Sequence, residues 1–137
     1  MAPESTQLDQ LRDTMPFAAA LGLRITAASP QEVVGTLDWA EARATAGGAL
    51  HGGALMALAD SLGGVCAFLN LPAGAGGTST TSSSTVFMRG VRAGTVTATA
   101  RPLHTGRSTI VVLTEIRDGD GRLVAQVTQT QAVLGGG

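Results

Sequence analysis

The sequence is poor in several residue types, and each shortage narrows what the protein can be. It has no lysine, so all nine cationic residues are arginines, and the formal net charge is −1. That balance speaks against non-specific nucleic-acid binding, which needs a basic stripe. The single cysteine, Cys66, cannot form an intramolecular disulfide, and its apolar neighbours predict a small buried hydrophobe. One cysteine and two widely spaced histidines predict no metal site.

Familiar nucleotide-binding, hydrolase and targeting motifs are missing as well. Gly74-Ala75-Gly76-Gly77 lacks the Lys-Ser/Thr of a phosphate-binding loop, and the sequence has no Gly-x-Ser-x-Gly elbow of a serine hydrolase. The N-terminus has neither the basic nor the apolar region of a signal peptide. The longest apolar run is interrupted by Asp60, Gly63 and Gly64. We therefore expect a cytoplasmic protein without a membrane span.

The pattern of apolar residues predicts one domain with one long helix and six strands. The chain has 137 residues, 44% of them hydrophobic and 14% charged, which is enough to bury a core. Residues 5–14 predict a short polar helix that stops at Pro16, and Gly22 ends a further helical turn. Apolar residues lie all round positions 52–69, which predicts a helix buried on every side. Strands are predicted at 23–27, 33–39, 78–88, 95–102, 108–117 and 122–134.

The stretch from Thr78 to Thr85 contains only serine and threonine. A disordered linker can have this composition. Threonine nevertheless favours strands, and Val86-Phe87-Met88 follows directly. Consecutive antiparallel strands with a single apolar helix indicate an α+β fold in which a curved sheet wraps around that helix.

His51-Gly52-Gly53 stands at the start of the long predicted helix. The first amides of a helix have no internal acceptor, and the helix dipole places partial positive charge there. Because glycine allows a substrate oxygen to approach the backbone closely, the motif is a candidate oxyanion site. Ordinary helix capping, with glycine needed for a tight turn, explains the same residues.

Asp60 is the one carboxylate in the apolar run. A lone buried carboxylate costs stability unless a partner or a function retains it. Such a group can take a proton from water or attack a carbonyl carbon. Alternatively, Asp60 is a polar anchor that is bonded to a nearby hydroxyl or amide.

The spacing of His51 and Asp60 bears on how they work together. Nine helical residues rise about 13.5 Å and turn by a net half turn. Helix start and carboxylate of one chain are therefore expected to face opposite ways and to lie too far apart for one carbonyl. If both act, the site must combine two subunits, and a two-fold dimer supplies two such sites.

Four segments in this order resemble hotdog-fold acyl-CoA thioesterases near the phenylacetate-pathway (PaaI-like) branch. They are His51-Gly52-Gly53 with Asp60, residues 87–94, His104-Thr105-Gly106-Arg107, and residues 121–125. The resemblance covers roughly residues 15–134, the hotdog thioesterase domain, which follows an N-terminal polar helical segment at 1–14. It implies homodimers with a continuous sheet, often paired into tetramers, with active sites at the subunit interface. It implies no metal or redox cofactor.

The resemblance also implies roles for particular residues. The Gly52 amide would polarise the thioester carbonyl beside His51, and Asp60 of the neighbouring subunit would act as base or nucleophile. Thr80 would orient water, and Thr45 stands where relatives have Asn or Gln, whereas Gly64 stands where one branch has Thr. Arg89 and Arg107 lie near where CoA phosphates are held. The full set of expected substrate-binding positions is Thr45, Gly53, Arg89, Arg107 and Ser108.

The expected function is hydrolysis of an acyl-CoA thioester to a carboxylic acid and CoA. An acyl-carrier-protein thioester is an alternative substrate, and the acyl group is left open. A hotdog enoyl-CoA hydratase and a non-catalytic acyl-CoA-binding protein are alternative functions. The carboxylate on the long helix argues against the hydratase, and turnover would separate an enzyme from a binding protein.

Overall fold

A computed structural model describes residues 3–135. The chain begins with two short helices and a strand hairpin, then forms one long helix followed by four strands. A three-residue 3-10 helix at Glu41–Arg43 precedes the long helix. The helices are α1 (Ser5–Asp13), α2 (Pro16–Leu21) and α3 (Gly52–Leu69), and the strands are β1 (Arg24–Ala28), β2 (Val33–Asp38), β3 (Ala75–Phe87), β4 (Thr95–Thr105), β5 (Thr109–Arg117) and β6 (Leu123–Gly135).

The six strands form one antiparallel sheet in the order β1-β2-β4-β5-β6-β3. Helix α3 contacts all six strands, so the sheet wraps around it. The predicted α+β arrangement of a sheet around one central helix is therefore confirmed. Within the described residues β3 pairs only with β6, so its other edge is open.

The expectation that α3 is buried on every side is wrong for the single chain. One stripe of the helix is exposed, and it includes Gly53, Met56, Asp60 and Phe68. Met56 is 44% exposed and Phe68 59% exposed. The apolar pattern did indicate burial, but one sheet can cover only the sheet-facing sides of a helix. Length and composition alone would let α3 cross a membrane, yet here it is the core helix of the domain.

Two strands are longer than predicted. The Ser/Thr stretch is the middle of the 13-residue strand β3, so the linker interpretation is wrong. Strand β4 continues beyond Pro102 to Thr105, because the register shifts between Pro102 and His104 and accommodates a residue without an N–H. The expected tight turn between β5 and β6 is present, with Gly121 at φ 81° and its N–H bonded to the carbonyl of Asp118.

The N-terminal helices pack on the same core as the sheet. Leu8 of α1 and Ala18 of α2 are buried in it. Pro16 is the first residue of α2, and Gly22 ends that helix with φ 87°. Both local predictions are confirmed, because proline suits a first helical position and glycine a left-handed end.

Candidate active site

The start of α3 is capped by His51. Its imidazole Nδ1 accepts a hydrogen bond from the Gly53 N–H at 2.8 Å, so the ring proton sits on Nε2. The His51 carbonyl accepts the N–H groups of Ala54 and Leu55. The capping interpretation of the motif is thus confirmed for one of its two glycines.

A side chain is disfavoured at each of the two glycines of the motif, for a different steric reason. A Cβ at position 53 would lie 2.9 Å from His51 Nδ1, so the cap itself leaves no room for a side chain. A Cβ at position 52 would lie 3.1 Å from Cζ of Phe87, whose ring covers this end of the helix. Within residues 3–135 the Gly52 N–H is left without an acceptor, whereas the next three amides are bonded. Gly52 therefore presents the free amide of the helix N-terminus.

The loop that leads into α3 is tied down on several sides. Thr45 is exposed, and its N–H and carbonyl close a tight turn with Ala49 and Gly48. The His51 N–H donates to the Arg43 carbonyl at 2.8 Å, and the Trp39 Nε1–H donates to the Gly48 carbonyl at 2.9 Å. These bonds fix the entry to the helix. Thr45 thus belongs to the loop that positions His51 and Gly52.

Asp60 lies on the exposed stripe of α3, not in the buried interior that the sequence indicated. Gly52 lies eight residues earlier, about 80° beyond two full turns, and the adjacent Gly53 is exposed on the same stripe as Asp60. The expectation of opposite faces is therefore wrong, because the half turn counts from His51, which precedes the first helical turn. The axial separation remains, since Gly52 and Asp60 are about 12 Å apart along the helix.

Asp60 has one polar partner among the described residues. The Gln129 Nε2–H donates to Asp60 Oδ1 at 3.2 Å from below the helix. Gln129 is fully buried on β6. The carboxylate is thus held by a buried amide on the sheet side and is open on the other side.

Thr80 is held by a second buried glutamine of β6. Together Asp60, Gln129, Gln131 and Thr80 form a polar row. Gln131, two residues beyond Gln129 on β6, donates from Nε2 to Thr80 Oγ1 at 2.7 Å and accepts from Thr78 Oγ1 at 3.0 Å. A bulge between Thr80 and Ser82 shifts the register of β3 against β6 at this point. The two glutamines point to the same face of β6, and one bonds Asp60 on α3 while the other bonds Thr80 on β3.

An apolar cavity opens beside this row. Its volume is about 640 Å³, and it lies between α1, α3 and β3. Gly64 and Phe68 line it one and two turns beyond Asp60, and Thr80 lines it from the sheet. An added Cβ at Gly64 would meet nothing within 4 Å. The cavity can receive an apolar group whose polar end lies near Asp60.

The predicted phosphate-binding arginines lie far apart in one chain. Arg89 follows β3 beside Phe87 at the helix-start end, whereas Arg107 adjoins Ala75 and Gly135 at the other end. Twelve residues of strand separate these ends, or roughly 40 Å. Ser108 is exposed next to Arg107. One chain alone cannot bring both arginines to one ligand.

Two other arginines have structural partners. The Arg92 guanidinium donates to the Gly47 carbonyl, and Arg101 pairs with Glu32 at 2.7 Å. Within the described part of the chain the side chains of Arg89 and Arg107 enter no ion pair. Both side chains therefore stay open to a ligand.

Sequence reasoning missed Gln129 and Gln131. The alternation of β6 could have indicated them, because Gln129 and Gln131 continue the series of inward-facing residues that starts with Ala125 and Val127. Polar residues at core-facing positions of a strand usually have a dedicated partner. The sequence analysis placed Phe87 in a strand and in the 87–94 segment, but it did not predict that its ring covers the helix start.

The remaining candidate groups lie away from this row. Cys66 is buried, as predicted, and burial raises the pKa of its thiol to about 11. Among residues 3–135 there is no group of three or more His, Cys, Asp or Glu side chains that could hold a metal ion.

Comparison with known proteins adds to this geometry. The model of the thioesterase superfamily matches residues 47–125, a span that contains α3 and its flanking loop. A Mycobacterium tuberculosis H37Rv protein that bears the name esterase is 33% identical over 128 residues, covering 92% of this chain and 91% of that protein.

Solved structures agree with the sequence comparison. A thioesterase of Haemophilus influenzae has a TM-score of 0.87 and 27% identity, and the match covers 94% of this chain and 91% of that one. A mutant of the phenylacetic acid degradation protein PaaI of Thermus thermophilus has a TM-score of 0.79 and 31% identity, covering 87% of this chain and 99% of that one.

This chain belongs to the thioesterase superfamily. Its fold is the hotdog fold, and its PaaI-like resemblance is confirmed. It is an enzyme of the thioester hydrolase class.

Proposed function

We propose that this enzyme hydrolyses acyl-CoA thioesters to a carboxylic acid and CoA. The observation that carries the proposal is the position of Asp60. A single carboxylate faces outward from α3, one turn from an apolar cavity and with no competing cation on the helix. The cavity suits an acyl chain, and the carboxylate suits activation of water or attack on the thioester carbon.

Gly52 is proposed to stabilise the oxyanion. Its N–H is the amide at the α3 start that has no acceptor within residues 3–135, and partial positive charge of the helix dipole adds to it. A thioester oxygen that gains negative charge in the transition state would accept this bond. Phe87 would exclude water from the same place, because its ring lies against Gly52.

The active species is proposed to contain two copies of the chain. Gly52 and Asp60 of one copy lie about 12 Å apart along the helix, too far to act on one carbonyl. The open edge of β3 is 13 residues long, and α3 beside it exposes the apolar residues Met56 and Phe68. A long unpaired strand edge is a template for pairing. Antiparallel pairing across it would bring the helix start of one copy toward Asp60 of the other.

The same pairing accounts for the separated arginines. A two-fold axis at the open edge of β3, between the two paired strands, reverses the strand direction in the second copy. Arg89 of one copy then lies at the end where the second copy carries Arg107 and Ser108. The CoA phosphates are proposed to bind between the copies at this end, because guanidinium groups grip phosphate with paired N–H groups. The substrate would thus span both chains.

The test is an assay of free thiol released from a panel of acyl-CoAs. We expect Asp60→Asn to lower kcat about 10²- to 10⁴-fold while the fold is kept, because an amide cannot take a proton. Wild-type turnover by folded Asp60→Asn would refute the role of Asp60. Binding of acyl-CoA without any turnover by the wild type would indicate a binding protein instead.

A mixing experiment tests the shared site. Gly52→Pro removes the N–H at a position that tolerates proline, and Gly52→Ala is the control that adds a Cβ against Phe87 but keeps the N–H. Inactive Gly52→Pro and inactive Asp60→Asn subunits should regain activity when mixed, since hybrids hold one intact site. Mixed oligomers that form but stay inactive, with both variants folded, would contradict the two-chain site.

A further inference from the structure

Gln129 is one of three buried residues with a polar side chain in the described part of the chain. It is 0% exposed on the face of β6 that lies under α3, and its carboxamide points at the helix. Its Nε2 bonds Asp60, but its Oε1 has no partner among the described residues. An unpartnered buried carbonyl costs stability, because the oxygen loses its hydrogen bonds to water and gains none in return. A residue that is retained at this cost calls for an explanation beyond packing.

Gly63 shows that the space for this carboxamide is built into the helix. A Cβ at Gly63 would lie 1.6 Å from Gln129 Oε1. The helix therefore has no side chain one turn after Asp60 on its sheet side, and Gln129 fills that gap. Through this gap a residue of the sheet reaches a carboxylate on the exposed stripe of α3.

We infer that Gln129 is a positioning residue that orients Asp60 for the reaction. This inference rests on the proposed function of Asp60. The direction of the hydrogen bond between Gln129 and Asp60 follows from chemistry, because a carboxylate oxygen accepts and only the amide nitrogen of Gln129 can donate. The bond occupies Oδ1 from the buried side and restricts the rotamers of the side chain. Oδ2 is thereby left to face water or the thioester carbon.

The surroundings leave Gln129 as the dominant polar influence on this carboxylate in the described chain. Helix α3 has no other charged residue, and β3 and β6 have no titratable residue. At the end of α1 that faces the cavity, Arg12 and Asp13 pair with each other at 2.7 Å. Loss of the donor should therefore release the Asp60 side chain into other rotamers and lower kcat while substrate binding is kept.

The test compares Gln129→Leu with Thr114→Val. Leucine removes the donor at similar volume, and Thr114→Val removes another unpartnered buried polar atom on β5, whose inward face does not bond Asp60. We expect Gln129→Leu to lower kcat about tenfold and to leave KM nearly unchanged, whereas Thr114→Val should change neither. Both variants should be at least as stable as the wild type, because each removes an unpartnered polar atom.

Asp60→Asn separates this inference from the proposed function. An inactive Asp60→Asn together with wild-type kcat in Gln129→Leu would overturn the positioning role and leave the proposed function intact. An active Asp60→Asn would overturn both. If Gln129→Leu fails to fold, Gln129→Glu serves as the second variant, because an ionised carboxylate cannot donate to Asp60, and kcat should again fall with KM nearly unchanged. Wild-type kcat in that variant would also overturn the role.

Discussion

Adjacent glycines in the middle of α3 should respond oppositely to the same substitution. At Gly63 an alanine Cβ would overlap the Gln129 carboxamide at 1.6 Å, whereas at Gly64 it would meet nothing within 4 Å. Alanine is better than glycine inside a helix by about 1 kcal/mol. The free energy of unfolding of Gly64→Ala should therefore exceed that of the wild type by up to this amount. Gly63→Ala should lose about 1–3 kcal/mol net, because overpacking and a displaced hydrogen bond outweigh the gain.

Urea unfolding of the single variants at one protein concentration measures this difference, since oligomer stability depends on concentration. The double variant Gly63→Ala/Gln129→Ala adds a check on the cause, because truncating Gln129 removes the overlap. We expect a coupling free energy of at least about 1 kcal/mol in that cycle. A Gly63→Ala protein as stable as Gly64→Ala, or strictly additive losses in the double variant, would refute the steric reasoning.

Other consequences can be measured separately. Burial raises the pKa of Cys66 to about 11 from 9.0, so a thiol reagent should react with the native protein only after unfolding. The same shift contributes stability that is complete below pH 9 and lost as the pH rises toward 11, which Cys66→Ala should not show. The pKa of Asp118 is lowered, chiefly by the backbone N–H of Arg122. Its stabilisation of the β5–β6 turn should therefore be present above pH 3.8 and lost on further acidification, detectable as faster amide exchange at Arg122. Arg89→Ala and Arg107→Ala should each raise KM for acyl-CoA about tenfold with kcat nearly unchanged, because a rim phosphate contact is equal in ground and transition states. Equal losses on acyl-pantetheine, which lacks the nucleotide, would argue against phosphate binding by these residues.

The architecture could be predicted well from the sequence because its strongest signals are local. The bounds of α3 follow from an apolar segment rich in Ala and Leu that lies between His51 and Asn70. Alternation and turn residues place the β5–β6 hairpin within a residue of its observed bounds. The Ser/Thr strand was predictable only from its threonines and the apolar residues that follow.

The contacts of the candidate site were harder to predict, since they depend on which side of α3 the sheet leaves open. An apolar pattern all round a helix does not say whether its own chain or another copy supplies the cover. Asp60 was therefore predicted as a candidate functional carboxylate, but it was expected in a buried interior, whereas it lies on the exposed stripe of α3. Gln129 lies 69 residues away from Asp60, and only the pairing of β6 with its neighbours brings it beneath the carboxylate.

Asp60 is shielded from water on one side by its own sheet and is open to solvent on the other side. A carboxylate in open water is well solvated and is a weak base, so its reactivity must come from a drier setting. The sheet supplies a buried donor on one side through the gap at Gly63. On the other side the exposed Met56 and Phe68 flank Asp60 along the helix. We expect that cover of this stripe by a second copy, rather than any change within the chain, completes the site. Dilution below the dissociation constant of the assembly should then lower activity per chain.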